Sequence, residues 1–353
     1  MKIPVLPGDG IGPEIAAVTV QVLERLDRRF ALDLRFDTHE VGLASLKRSG
    51  STLPEPVVEA CRAADGFILG PVSHLDYPPL AQGGRNPSGE LRIALDLYAN
   101  VRPSRCYEGL RYWGRTPMDL LIVRENTEGF YADRSMHQGS GEFMPTPDLA
   151  LSLRKISAHA SRRIAHTAFR LARRRRRKVT AVHKVNVLKL TEGLFLREVR
   201  AVAGEFSDVA YEEQLVDSMA AALVRDAARF DVVVTTNMYG DILSDEAAEL
   251  SGSLGLAGSL NAGDAHCMAQ AQHGSAPDIA GKDIANPCSL LISAGMLLGW
   301  LGEKRAAENF LRAQAALEAA LAALMREPAT RTRDLGGALG TRAFGQAVLE
   351  KLA

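Results

Sequence analysis

The chain has 353 residues, of which 46% are hydrophobic and 24% charged, a balance typical of globular proteins with an ample core. Its length exceeds that of a typical single domain, so two domains are expected. Because 42 basic residues balance 42 acidic ones, the net charge favours neither nucleic acid nor an anionic membrane as a partner.

The cysteines and the apolar segments indicate the compartment. No Cys-x-x-Cys pair occurs, which fits a reducing cytosol better than a disulfide framework or a zinc site. Gly8 follows the N-terminus too soon for a signal peptide, and the longest apolar stretch, 289–301, is too short to span a bilayer. We therefore expect a cytoplasmic protein without a membrane span.

Short βα units open the chain. Residues 3–6 predict a strand, and a glycine-rich turn over 8–12 leads into a helix near Pro13, a residue suited to the first helical position. The spacing Gly-x-Gly-x-Gly differs from the Rossmann fingerprint Gly-x-Gly-x-x-Gly, so it indicates a tight turn rather than a standard dinucleotide site. A second unit with a strand at 67–69 supports the α/β class.

Three arginines lie at or near the ends of predicted elements. Arg92 and Arg102 flank a helical stretch, and Arg124 follows an apolar strand at 120–123. Guanidinium groups bind carboxylates in a bidentate manner, so these side chains are candidates to converge on a polyanion. The alternative is three separate surface arginines, and spacing alone leaves both open.

The middle of the chain contains a polar segment and a basic run. Residues 138–147 predict an exposed hairpin or arm suited to partner contact. An amphipathic helix at 157–174 leads into the basic run 173–178, which lacks the interleaved aromatic residues of a nucleic-acid site. We interpret the run as a solvated helix end.

Charged residues follow two further strands. The strand 179–182 brings Lys184 to its carboxyl end, the edge where α/β sheets bind ligands, and a lysine there is a candidate base. After the strand 232–236 the chain becomes helical beyond Gly240, which places Asp241 and Asp245 one turn apart. Their oxygen ligands suit Mg²⁺ or Mn²⁺, whereas the alternative is an ordinary acidic helix start. Asp217 is the third candidate carboxylate.

The C-terminal part begins with a long loop at 272–287 that is rich in glycine, proline and asparagine. Loops of this length within compact domains are usually functional. Helices are predicted near 289–301, 303–325 and 341–352.

The order of these motifs resembles the NAD(P)-dependent, metal-dependent β-decarboxylating dehydrogenases, which include isocitrate, homoisocitrate, 3-isopropylmalate, tartrate and D-malate dehydrogenases. The resemblance covers nearly the whole chain. It rests on the segments 8–14, 91–92, 95–103, 124–129, 183–186, 237–245 and 273–287.

The resemblance implies an α/β fold of two domains around a central active-site cleft. A large NAD-binding domain would comprise 1–98 and 250–353, and a small dimerisation domain would comprise 99–249 with an arm near 135–147. It also implies a homodimer whose active sites are each shared between subunits.

The resemblance assigns roles residue by residue. Tyr131 and the partner's Lys184 would move protons, while Asp241 and Asp245 with the partner's Asp217 would hold Mg²⁺ or Mn²⁺. Substrate binding is assigned to Arg92, Arg102, Arg124, Ser88, Asn86 and Asn186. The adenosine half of the cofactor is assigned to His273, Gly274, Ala276, Asp278, Ile279 and Asn286.

The specificity for cofactor and substrate is inferred from positions at which this chain differs from members of the family. NADP-using relatives carry Lys-Tyr where this chain has Asp278-Ile279, and an aspartate repels a 2′-phosphate, so NAD is expected. Isopropylmalate enzymes have a Leu-Leu pair where this chain has Ser88-Gly89. A polar or carboxylated C3 substituent is therefore favoured, with isocitrate first and homoisocitrate, tartrate or malate close behind, and 3-isopropylmalate as the alternative.

Two other readings remain. The first is a catalytically silent regulatory subunit of the same fold, which would have no need for the complete set of Tyr131, Lys184 and the three aspartates. The second is RNA binding through 173–178, which predicts affinity that falls steeply with salt.

Overall fold

The computed structural model describes residues 1–131, 136–137 and 139–353. The chain divides into two compact units, the first comprising Met1–Leu95, Tyr107–Arg111 and Gly252–Ala353, and the second Asp96–Cys106 and Tyr112–Ser251. The segment Tyr107–Arg111 thus belongs to the first unit, although the resemblance assigned it to the middle domain. The roles in NAD binding and dimerisation stay predictions.

The described residues form strands and helices that alternate along most of the chain, so the predicted α/β class is confirmed. The strands are β1 (Lys2–Leu6), β2 (Arg35–Thr38), β3 (Gly66–Leu69), β4 (Ala99–Arg105), β5 (Asp119–Glu125), β6 (Glu142–Thr146), β7 (Leu149–Ser152), β8 (Lys178–His183), β9 (Ala210–Leu215), β10 (Val232–Thr235), β11 (Gly258–Ala262) and β12 (Cys267–Ala271). The helices are α1 (Gly12–Phe30), α2 (Leu43–Ser49), α3 (Glu55–Arg62), α4 (Pro87–Ala94), α5 (Ala158–Arg173), α6 (Thr191–Ala203), α7 (Val216–Asp226), α8 (Asn237–Ser251), α9 (Cys288–Arg305), α10 (Glu308–Arg326) and α11 (Thr341–Lys351).

In the first unit the strands lie in the order β2-β1-β3-β12-β11. Strand β1 pairs in parallel with β2 and β3, and β3 pairs in parallel with β12, whereas β11 and β12 are antiparallel. Strands β11 and β12 were not predicted from the sequence. Their segments contain Ser, Asn, Gln and small residues rather than a β-branched run, so tertiary pairing rather than propensity decides their structure.

In the second unit the order is β4-β5-β10-β8-β9, with only the β4–β5 pair antiparallel among these described strands. Alternate residues of β10 face opposite sides, since Val232 and Val234 pack in one core with α5 and α6, and Val233 packs in another with α7 and α8. Helices cover both faces of β10, so both faces need apolar side chains. The strand accordingly begins with three consecutive valines. Its carboxyl end leads directly into α8.

The predicted arm appears as an antiparallel hairpin of β6 and β7. Its apolar side chains are exposed, with Phe143 at 47%, Met144 at 63% and Leu149 at 46% of their full accessible area. The predicted range also includes Ser135 and Gln138, which lie outside the described residues. A two-stranded hairpin with exposed apolar side chains gains stability when a partner surface covers it.

The basic run lies at the end of α5, and Arg173, Arg174, Arg176 and Arg177 are exposed, as a solvated helix end requires, whereas Arg175 is not. Arg175 is three-quarters buried, and its guanidinium bonds to the fully buried Asp231 at 2.8 Å and to Asp119 at 2.8 Å. Arg173 pairs with Asp208 at 2.7 Å. The run therefore binds neighbouring acidic side chains, which leaves less of its charge for nucleic acid.

No helix in the described part of the chain combines the length and apolarity needed to cross a bilayer.

Candidate active site

The carboxylate of Asp241 lies at the centre of a charged cluster in the second unit. Helix α8 begins at Asn237, slightly earlier than the sequence predicted, so Asp241 and Asp245 project from one face a turn apart. Arg102 on β4 approaches both, with 3.1 Å from its Nη1 to Asp241 Oδ1 and 3.4 Å to Asp245 Oδ1. Arg124 on β5 also forms an ion pair with Asp241.

Arg102 is buried and held from two sides. Its Nε donates to Asn100 Oδ1 at 2.6 Å, and its Nη1 donates to Ser244 Oγ at 2.8 Å. Burial, together with repulsion from the nearby Arg124 guanidinium, lowers the pKa of Arg102 to about 10. The group therefore remains a cation near neutral pH and suits the binding of a substrate carboxylate.

Arg124 is oriented by the start of α8. Its Nε and Nη2 both donate to Asn237 Oδ1, at 2.9 and 2.6 Å, and the Asn237 amide donates to the carbonyl of Glu128 at 2.9 Å. Helix α8 approaches β5 so closely that a Cβ at position 240 would lie 2.6 Å from Arg124 Cβ. Gly240 therefore allows the helix to lie against the strand.

Tyr131 joins the same cluster. Its hydroxyl donates to Asp241 Oδ2 at 3.1 Å, and the guanidinium carbon of Arg124 lies 5.6 Å from the centre of its ring. The structure thus brings Tyr131, Arg102, Arg124, Asp241 and Asp245 together within one unit. A proton-bearing hydroxyl, two cations and two carboxylates meet at one place.

Lys184 and Asp217 form a pair of their own, with 2.9 Å between Lys184 Nζ and Asp217 Oδ1. The lysine lowers the pKa of Asp217, chiefly through this hydrogen bond. Asn186, two residues beyond Lys184, is exposed. Across the described residues, no three His, Cys, Asp or Glu side chains are grouped closely enough to share a metal ion. Within the described chain, Asp217 is therefore not grouped with Asp241 and Asp245.

The remaining candidate substrate residues lie on α4 in the first unit. Asn86 caps this helix, since its Oδ1 accepts a hydrogen bond from Gly89 N at 3.2 Å. Ser88 and Arg92 are buried, and both donate to Gln270 Oε1, from Ser88 Oγ at 3.0 Å and from Arg92 Nη2 at 3.1 Å. This part of the first unit is polar although it is buried.

The candidate cofactor loop is bound to the glycine turn after β1. Ile11 N donates to the carbonyl of Ser275 at 2.8 Å, and the hydroxyls of Ser73 and Ser275 are 2.7 Å apart. Gly10 has a φ of +57°, and a Cβ there would lie 2.0 Å from the Ser275 carbonyl oxygen. The turn thus supports this loop directly.

His273 presents an acceptor at the start of the loop. Its Nδ1 lies 2.9 Å from the Gly274 carbonyl, so Nδ1 carries the proton and Nε2 is an acceptor. Burial lowers the pKa of His273 and favours the neutral ring. Nε2 is buried without a hydrogen-bond partner among the described residues, which fits a ligand that donates a hydrogen bond there.

Other candidate cofactor residues differ in exposure. Asp278 is exposed, in a short 3₁₀ helix that ends at Ile279, and Ala276 before it has a left-handed backbone. Gly274 is open on its side-chain face, since a Cβ there would contact nothing within 4 Å. Asn286 is buried and bonds to Asp334 at 2.9 Å and to Cys288 N at 2.9 Å, so its side chain fixes the end of the loop.

Sequence reasoning missed the side chains that hold the arginines. Asn100 lies two residues before Arg102, which places both on the same face of β4, but a helical stretch was predicted before Arg102, so this spacing gave no signal. Asn237 lies inside a motif that the resemblance had already used. Gln270 lies on a strand that the sequence did not predict.

The chain matches known sequences over nearly its full length. A profile of the family described as isocitrate/isopropylmalate dehydrogenase matches residues 2–348. An isocitrate/homoisocitrate dehydrogenase of Thermus thermophilus is 43% identical over 354 residues, which covers 99% of this chain and 98% of the relative. A 3-isopropylmalate dehydrogenase of Saccharolobus solfataricus is 38% identical over 337 residues, 95% of each chain.

The fold is also similar to a solved structure. The crystal structure of isocitrate dehydrogenase from Methylococcus capsulatus superposes with a TM-score of 0.87 at 38% identity and covers 99% of each chain.

Proposed function

Because the chain belongs to the isocitrate/isopropylmalate dehydrogenase family and is therefore a decarboxylating dehydrogenase acting on a CH–OH group, we propose that its substrate is a malate-type 2-hydroxy acid with a polar or carboxylated C3 substituent. Isocitrate and homoisocitrate are the favoured substrates. The observation that carries this proposal is the buried polar group of Ser88, Arg92 and Gln270 on and beside α4. An apolar C3 substituent would have to pack against these polar groups, which is less favourable than a contact with a polar or carboxylated substituent.

The second unit supplies the groups that such a reaction needs. Arg102 and Arg124 bind the substrate carboxylates, exchanging their present partner Asp241 for the ligand. Lys184 of the partner subunit accepts the proton of the substrate hydroxyl, and Tyr131 returns a proton to C3 after CO2 leaves.

Asp241 and Asp245 fit a divalent cation. Their side chains are 35% and 59% exposed, lie one turn apart, and offer the carboxylate oxygens that Mg²⁺ and Mn²⁺ prefer. When bound, the cation supplies a Lewis acid for decarboxylation and the nicotinamide supplies a hydride acceptor. We propose NAD as the cofactor, since the unpartnered His273 Nε2 and the exposed Asp278 suit an adenosine with a free ribose hydroxyl.

We further propose a homodimer in which Lys184 and Asp217 of one subunit complete the Asp241 site of the other. Their separate pairing within the chain supports this arrangement. A reducing cytoplasmic location is supported by four free cysteines, of which Cys61, Cys267 and Cys288 are buried.

A substrate panel tests the proposal. The purified chain with NAD and Mg²⁺ is supplied with isocitrate, homoisocitrate, 3-isopropylmalate, D-malate or tartrate, and both NADH and CO2 are measured. We expect the highest kcat/KM with isocitrate or homoisocitrate. A preference for 3-isopropylmalate would overturn the substrate assignment, and a lack of turnover with every acid would favour the silent regulatory subunit.

A further inference from the structure

Arg154 contacts three separate segments of the second unit that carry candidate catalytic groups. It lies just after the hairpin, and its side chain is only 8% exposed. Its Nη2 pairs with Glu192 and donates to Thr236 Oγ1 at 3.0 Å, while its Nη1 donates to Thr191 Oγ1 at 3.0 Å. One guanidinium thereby joins the start of α6 to the junction between β10 and α8.

Glu192 extends this connection to the lysine segment. Its side chain is fully buried, and while one carboxylate oxygen pairs with Arg154, Oε2 accepts a hydrogen bond from the backbone N–H of Lys184 at 2.9 Å. The position of the Lys184 backbone therefore depends on a carboxylate whose charge is balanced by Arg154. A buried carboxylate that loses its cation is strongly destabilised, so the two side chains act together.

The same stretch of chain supports Tyr131. Lys155, next to Arg154, exchanges backbone hydrogen bonds with Gly129, at 2.8 Å from Gly129 N and 3.0 Å from Lys155 N. The guanidinium carbon of Arg154 also lies 5.7 Å from the ring centre of Phe130. The segment that ends at Tyr131 is thus fixed to Arg154 and Lys155.

On the far side the guanidinium meets the helix of the aspartates. Its central carbon lies 5.3 Å from the ring centre of Tyr239, two residues before Asp241 on α8. It therefore contacts the chain on both sides of the first residue of α8, at Thr236 and at Tyr239. This site suits arginine and not lysine, because a planar guanidinium can bond to three oxygens while it lies near two aromatic rings.

We propose that Arg154, acting through Glu192, is a positioning residue that fixes the Lys184 segment relative to the start of α8 and the Tyr131 segment. This inference rests on the proposed function for its catalytic consequence. In a dimer with shared sites, each subunit contributes Lys184 to its partner's site and Asp241 and Asp245 to its own site. The Arg154–Glu192 contact links these two groups within one subunit. Loss of the contact displaces the Lys184 backbone, which Glu192 holds directly, while Arg102 and Arg124 keep their own hydrogen bonds to Asn100 and Asn237.

Two variants of the full-length protein separate charge from geometry. Arg154→Lys keeps the charge but loses the planar set of donors, and Arg154→Met loses both. Arg162→Met is the matched control, because Arg162 pairs with Glu198 on the neighbouring α6 but is 53% exposed. We expect kcat to fall about tenfold in Arg154→Lys and further in Arg154→Met, with KM for the hydroxy acid changed less than about threefold, and no such change in the control.

Amide hydrogen exchange at Lys184 provides a readout that needs no turnover. In both Arg154 variants the Lys184 amide should exchange faster than in the wild type and in Arg162→Met, at a temperature where circular dichroism shows each protein to be folded. Unchanged protection of this amide, or a kcat equal to that of the control, would overturn the positioning role. If the wild-type chain oxidises no acid of the panel, the proposed function fails, while the exchange data still decide whether Arg154 holds the Lys184 segment.

Discussion

Gln270 is a neutral acceptor shared by the two donors Ser88 and Arg92. Gln270→Glu keeps the shape of the side chain but adds a negative charge beside the guanidinium. We expect KM for the hydroxy acid to rise about tenfold with a smaller change in kcat, since the new carboxylate competes with the substrate for Arg92. Steady-state kinetics measure the effect, and KM for NAD is the internal control. An unchanged substrate KM would contradict this role.

Asp278 decides the choice of cofactor if it lies against the adenosine ribose. Because it is exposed, Asp278→Lys is expected to preserve the fold while exchanging repulsion of a 2′-phosphate for attraction. We expect the ratio of kcat/KM for NAD over NADP to fall at least tenfold, as roughly 1.4 kcal/mol of differential binding would produce. The exposed Asp264→Lys in the same unit is the control. An unchanged ratio would remove Asp278 from the cofactor site.

The site residues that could be predicted from the sequence differ from the others in how far away along the chain their partners lie. Arg124 and Asp241 follow from rules about strand ends and helix faces, because charged groups at such positions gather ligands. Arg102 was expected at the end of a helical stretch but lies within β4. Gln270 and Glu192 contact Ser88 and Arg154, which lie 182 and 38 residues away in the sequence, and only tertiary pairing brings them close. Local patterns carry no information about such contacts.

Among the elements, the basic run after α5 shows how far a local pattern is informative. Consecutive arginines suggested a solvated helix end, which four exposed arginines fit, but Arg175 bonds to Asp231, which is buried just before β10. Whether Arg175 is solvated depends on the burial of its acidic partner Asp231, which lies 56 residues away in the sequence. The helices α5, α9 and α11, in contrast, were predicted from apolar residues within each segment.

Arg175→Ala tests the structural role of this run. The substitution leaves the buried Asp231 carboxylate without its closest cation, while Arg176 remains 3.6 Å away as a partial replacement. We expect unfolding free energy to fall by roughly 1–3 kcal/mol, measured by urea denaturation. Arg170→Ala, at an exposed position of α5, should change stability by less than about 0.5 kcal/mol. Equal effects of the two substitutions would contradict the assignment.

For the whole molecule, the decisive issue is whether one chain contains a complete active site. In the described residues Tyr131, Asp241 and Asp245 belong to one cluster, whereas Lys184 pairs with Asp217. Two variants, Lys184→Met and Asp241→Asn, each remove a residue from a different half of the proposed shared site. Each variant alone is expected to be inactive. If the sites are shared, a mixed dimer contains one site with both defects and one with none.

Complementation therefore gives a quantitative prediction. The two variants are mixed in equal amounts, dissociated and reassociated, so that half of the dimers are mixed and each mixed dimer has one intact site. We expect about one quarter of wild-type activity to return. Either variant treated alone is the control and should stay inactive. If the site were complete within one chain, every mixed dimer would contain only defective sites, and the absence of any recovered activity in verified mixed dimers would exclude the shared arrangement.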